Sequence, residues 1–130
     1  MNAHAVQNSV PSTEGNLIDL YVEFPVGATG AVGTAVRSRY ITAITRLGAG
    51  NYRLALDGSV DAILEDTLRI FDVTPGATDG QVIIPSVRTV GATSSPVYEF
   101  FCYQQNGTAA DPRNGASIFG RLRVRVGPRV

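Results

Sequence analysis

Few side chains in this chain are able to do covalent or acid–base chemistry, and their spacing does not favour it. Nucleophilic catalysis needs a base beside the nucleophile. The one histidine, His4, lies in a polar N-terminal stretch, and lysine is absent. Neither a Ser/His or Cys/His pair nor a lysine nucleophile is therefore expected. The one cysteine, Cys102, sits inside an apolar run. It reads as a buried structural thiol, with no partner for an internal disulfide and no Cys/His metal set. Asp57, Asp61, Glu65, Asp66 and Asp72 fall close together, and two carboxylates suffice for glycoside hydrolysis. No D-x-D-x-D-G loop accompanies them, and acids at such positions serve as caps and solvated surface charges. Gly27, Gly30 and Gly33 form neither G-x-G-x-x-G nor a Walker sequence, and no Lys-Ser/Thr follows. They predict a surface loop. The expectation is a protein that is not an enzyme and holds no cofactor and no metal.

What remains is binding chemistry, concentrated between Pro96 and Val126. In SIFGRLRVRV, Ile118, Leu122, Val124 and Val126 fall on one face and Arg121, Arg123 and Arg125 on the other. Successive strand side chains point to opposite faces, so this is a half-buried strand with a guanidinium stripe outside. Phe119 shares the arginine face. The preceding run, PVYEFFCYQQ, puts Tyr98, Phe100 and Cys102 on one face and Val97, Phe101 and Tyr103 on the other, interrupted by Glu99. A strand apolar on both sides needs a cover on both sides. One cover is the core; a neighbouring molecule is expected to be the other. Phe101, Tyr103, Phe119, Arg121, Arg123 and Arg125 are the candidate interface residues, with Phe101 and Tyr103 placed near Phe119. Aromatic rings among basic residues also suit single-stranded nucleic acid, but the zero net charge argues against it.

The elements that must position these residues are mostly strands. Met1–Asn16 is polar and aperiodic, an extended arm. Leu17–Phe24 alternates and is stopped by Pro25. Tyr40–Leu56 reads as a hairpin across Gly48 and Gly50, both expected at positive φ. Gly58–Asp66 is the one helix-like piece, with Val60, Ile63 and Leu64 at i, i+3, i+4. Thr67–Val73 and Gln81–Val90 follow as strands, the latter demoted to an edge or bulge by Pro85. The predicted fold is all-β: an antiparallel sandwich or barrel of about seven to eight strands with one short helix. Residues 17–130 form a single domain behind the arm of residues 1–16.

At 130 residues such a domain buries roughly 65% of its unfolded surface. Eleven acidic residues balance eleven basic ones, all arginine. Arginine's planar, weakly hydrated fork suits contact surfaces, although a GC-rich genome would produce the same bias. No signal segment or membrane-length apolar run is visible, so synthesis in the cytoplasm as a soluble chain is expected, without a membrane partner.

The run GAGNYRLALDG and the closing AADPRNGASIFGRLRVRV together resemble small β-rich virion proteins of tailed bacteriophages. The matching residues are Gly48, Gly50, Tyr52, Leu54 and Leu56 in a G-x-G-x-Y hairpin, then Ala110, Asp111, Pro112 and Gly115 in an A-x-D-P-x-x-G loop. Ile118, Leu122, Val124 and Arg125 complete the last strand. AVRSRYITAITR also fits the approach to the hairpin, so the likeness spans roughly residues 30–126; the final GPRV departs from it. The resemblance implies a structural protein on the capsid exterior. It would be a cement or decoration subunit, a homotrimer by preference, bound to the major capsid protein with no small-molecule substrate. The competing expectation is a receptor- or glycan-binding module of a tail or head fibre, with Tyr21, Tyr40 and Tyr98 as sugar platforms.

Overall fold

A computed structural model describes residues 16–89 and 95–127. Apart from Asn16, the predicted N-terminal arm with His4 lies outside these residues, as does the GPRV ending beyond Gly127. Eight strands run in chain order: β1 (Asn16–Pro25), β2 (Val36–Arg37), β3 (Ile41–Gly48), β4 (Asn51–Leu56), β5 (Val60–Phe71), β6 (Val82–Thr89), β7 (Val97–Tyr103) and β8 (Ser117–Val126). They form two four-stranded sheets, β2-β1-β8-β5 and β3-β4-β7-β6, with every pairing antiparallel. The arrangement is a sandwich; the sheets do not close into a barrel.

Period-two alternation builds both inner faces. Leu20, Val22 and Phe24 of β1 and Ile118, Leu122 and Val124 of β8 face the core from the first sheet. Tyr52, Leu54 and Leu56 of β4 meet them with Tyr98, Phe100 and Cys102 of β7. The aromatic residues form a chain across the interior: Phe24 to Tyr52 at 5.6 Å between ring centroids, then Tyr52 to Phe100 at 5.7 Å. Contacts of this kind add about 0.5–1.5 kcal/mol each beyond the area they bury.

The expected short helix is absent. Val60–Phe71 is one long strand, and the first half of its ladder with β8 shifts register between Val60 and Ala62 and again between Ile63 and Glu65. Each shift is a β-bulge, which inserts an extra residue and interrupts alternation. Val60 and Ile63, three apart, therefore both turn inward, which imitates helical spacing in the sequence. The helical geometry among the described residues is confined to one 3₁₀ turn, Ala28–Gly30, within the glycine-rich loop. The β3–β4 hairpin forms as expected, but Gly50 alone supplies the positive φ (69°), while Gly48 ends β3 as an ordinary strand residue. Pro85 lies on an edge strand next to a register shift, where a missing N–H does least harm.

Strands β7 and β8 belong to different sheets. The loop between them crosses the sandwich, which decides where the candidate residues sit.

Candidate functional site

On β7 the outward side chains are Val97, Glu99, Phe101 and Tyr103, all half-buried. The register sets Phe101 opposite Ile84 and Tyr103 opposite Val82, and directly opposed residues share a face. The Phe101 and Tyr103 rings touch at 5.8 Å between centroids. Ile84 is 52% exposed and Val82 47%, so the end of this face is an apolar patch open to solvent. A shallow groove of about 450 Å³ runs along it between Val82, Ile84, Tyr103 and Gln105. Towards the middle of the sheet the patch gives way to an ion pair, Arg53 to Glu99 at 2.8 Å. An apolar centre with a polar border is the anatomy of a protein contact surface. Val82 and Ile84 escaped the sequence reading; the apolar run VII directly before an edge proline was the signal available.

The arginine stripe forms as its alternation predicts, on the outer face of the other sheet, with Phe119 beside it. The two sheets of a sandwich lie about 10 Å apart, with the core between these faces. Phe101 and Tyr103 are therefore not neighbours of Phe119, contrary to the expectation, and the six residues divide between two surfaces. Nor is the stripe a field of free cations. Arg123 Nε lies 3.1 Å from Asp19 Oδ1, and Arg125 Nε 2.9 Å from Asp61 Oδ2. The Asp19 hydrogen bond and the nearby charge of Glu65 raise the affinity of Arg123 for its proton. No ion pair engages Arg121 among the described residues. Phe119 packs edge-on against Phe71 at 6.5 Å.

The clustered acids are spread along the structure and do not converge on one site, and all but Glu65 are held by a hydrogen-bond or ion-pair partner. Asp57 accepts from Ser59 N at 2.9 Å, a turn cap. Asp72 is gripped by Arg113 at 3.0 Å, which holds its carboxyl below the usual range. Asp66 accepts the Tyr98 hydroxyl. Burial, then that bond, pushes the Tyr98 phenol far up. Tyr98 is 0% exposed and cannot serve as a sugar platform, which removes one of the three tyrosines named above. Of the others, Tyr21 is 47% exposed, and Tyr40 lies under the Arg39 guanidinium at 4.9 Å.

A third arrangement has no counterpart in the sequence reading. Asp111 reaches across the end of the sandwich and accepts Arg46 Nε at 3.0 Å, Arg46 Nη2 at 2.7 Å and Gly50 N at 2.7 Å. Its backbone oxygen accepts Gly80 N at 2.9 Å. Tyr52, fully buried, donates its hydroxyl to Gly30 O at 2.8 Å. Burial first, and the Asp111 charge second, make this phenol a very weak acid. Two glycines exist here for space: a Cβ on Gly30 would lie 2.3 Å from Asp111 Cγ, and one on Gly80 2.1 Å from Ala110 O. Asp111 thus ties the β3–β4 turn and the loop before β6 to the loop leading to β8, and packs against Gly30 of the glycine-rich loop, which Tyr52 holds. It brings together Gly50, Tyr52 and Asp111, residues that the phage-protein resemblance selected separately.

Cys102 lies at the foot of this clasp, fully buried, its thiol pushed up to about 12 by burial and then by Asp111. Thiolate is the reactive form. Cys102 is therefore expected to ignore a thiol-specific chromogenic reagent at pH 8 and to react stoichiometrically only after denaturation; prompt labelling of the native protein would contradict the packing described.

Among the described residues no group of three or more His, Cys, Asp or Glu side chains is disposed to hold a metal ion. No helix among the described residues is long and apolar enough to cross a membrane. Set against known proteins, the chain matches no family model, no curated protein and no solved structure.

Proposed function

We propose that this chain is a structural virion protein, a cement or decoration subunit that adds to the outer surface of a tailed-phage capsid and stabilises it. The observation that carries the reading is the apolar patch of Val82, Ile84, Phe101 and Tyr103 on the outside of the β6–β7 pair. Monomeric domains seldom leave aromatic and branched side chains clustered in the open unless something covers them. The bordering Arg53–Glu99 pair supplies register and selectivity at the rim, while burial of the apolar centre supplies affinity. Many copies on one shell multiply a modest contact by avidity. The covering partners in this reading are other copies of the chain, a trimer by preference, and the major capsid protein. The resemblance of the hairpin and the A-x-D-P-x-x-G loop to phage virion proteins points the same way.

The test is to add the purified protein to capsids that lack it and to image them by cryo-electron microscopy. The proposal expects density on the outside of the shell, with the β6–β7 face turned towards coat protein or a sister subunit. Capsids that stay bare, or carry the protein only at the tail, would overturn it. The fibre-module reading keeps Tyr21 as its one well-exposed candidate platform, and binding on a glycan array would favour it.

A further inference from the structure

The outer edges of the two sheets are not protected alike. An unpaired strand edge is a template for another chain, and proteins blunt such edges with bulges, prolines and covering side chains. Edge β3 is interrupted twice, between Ile41 and Ala43 and between Arg46 and Gly48. The Arg37 guanidinium also donates to the carbonyls of Ile41 (2.8 Å) and Thr42 (3.3 Å). Edge β6 carries Pro85 and the register shift behind it. Strand β1 is flanked by β2 at Val22 and Glu23, and Tyr21 N donates to the Ser38 hydroxyl at 2.8 Å. The first half of β5 holds two bulges, and Arg88 Nη1 donates to Ile63 O at 3.3 Å. From Glu65 to Phe71 none of these devices is found. Those seven residues pair with β8 in unbroken register, and no backbone group on their other side is engaged among the described residues.

We infer that residues 65–69 of β5 are a two-fold docking edge, where a second copy of this chain pairs antiparallel with the same segment and joins two four-stranded sheets into one of eight. Charge selects the register. A two-fold pairing that keeps both cores on the same side must centre on a residue, because a half-step slip exchanges inner and outer faces. Centring on Arg69 or Glu65 sets like charges against each other. Centring on Leu68 opposes Glu65 to Phe71 and Asp66 to Ile70. Centring on Thr67 leaves Asp66 opposite Leu68 but sets Glu65 opposite Arg69 of the other copy, and does so twice. Opposed unlike charges favour such a pair. Neither Glu65 nor Arg69 has an ion pair within its own chain among the described residues. The row already running Asp19–Arg123–Glu65 across the sheet then continues into Arg69, Phe119 and Glu23 of the second copy, with charges alternating across the join.

This edge is separate from the β6–β7 patch, and a two-fold contact added to another self-contact would link small oligomers into a net. Cross-linking tests it directly. Opposed Cα atoms of an antiparallel pair are about 4.5–5.5 Å apart, within the span of a disulfide. Thr67→Cys should therefore yield a covalent dimer under mild oxidation, since the native thiol, Cys102, is buried. Arg69→Cys should not, because its mate lies about 13 Å along the strand. By sedimentation equilibrium, Glu65→Arg and Arg69→Glu should each weaken the dimer by about tenfold or more, and the double swap should restore it. Phe101→Asp should leave the Thr67→Cys cross-link intact. Folded Thr67→Cys that stays monomeric, Arg69→Cys that links as readily, or a double swap that fails to restore association would each overturn the inference. The last result would point instead to pairing with the open start of β1.

Discussion

Phe101→Asp is expected to reduce loading onto capsids by about a hundredfold, equivalent to roughly 3 kcal/mol at the centre of a contact. The magnitude follows from where the side chain points. Phe101 faces away from the core, half-buried between Tyr103 and Ile84. Its replacement leaves the sandwich interior untouched and should move folding stability by no more than about 1 kcal/mol. In a closed interface the same carboxylate would be stripped of water with no cation opposite, which is the expensive case. Tyr103→Asp should behave alike. Asp substitution at Arg121, on the opposite outer face, should leave loading within a few-fold of wild type. The check is a titration of undecorated capsids with each variant, alongside thermal unfolding to confirm that all are folded. Equal loading by Phe101→Asp would remove the β6–β7 patch from the account.

Asp111→Ala should destabilise the domain by about 2–4 kcal/mol, because it removes one partner of a charged, bidentate bond and leaves Gly50 N–H without its acceptor. For a domain of this size that corresponds to a fall of roughly 10 °C in melting temperature. Asp111→Asn, which keeps one acceptor oxygen, should lose less. Arg46→Ala should also lose less, since the bond from Gly50 survives it. Chemical denaturation read by tyrosine fluorescence measures all three. An Asp111→Ala protein as stable as wild type would mean that the three loops hold together without the clasp.

These two residues also mark how far the fold and its surfaces could be read from the chain. The strands β1, β4, β7 and β8 announce themselves, since each buries one face and alternation is visible residue by residue. Pro85 predicts an edge or bulge because it lacks a donor, and β6 has both. Strand β5 is hidden because the bulge between Val60 and Ala62 spaces Val60 and Ile63 as a helix would. Strand β7 shows that it needs two covers, and Glu99 marks the face of Phe101 and Tyr103 as the outer one. The same alternation puts Tyr98 inside, against the expectation of a sugar platform there. The placement of Phe101 and Phe119 on opposite sides of the molecule depends on a loop that changes sheets, and the hydrophobic pattern of a strand does not say which sheet it joins. In the sequence Asp111 stands out only as part of a loop motif. Its partner Arg46 is 65 residues away, and local pattern carries no information about a contact of that span.

Hydroxyl-radical footprinting of the free protein and of the protein bound to capsids would test the docking surface most directly. Oxidation of Phe101 and Tyr103 is expected to fall several-fold on binding, while Tyr21 on the arginine-bearing sheet keeps its reactivity. Unchanged labelling of Phe101 and Tyr103 on fully loaded capsids would show that the patch stays open to water, and the claim that it is the contact would fail.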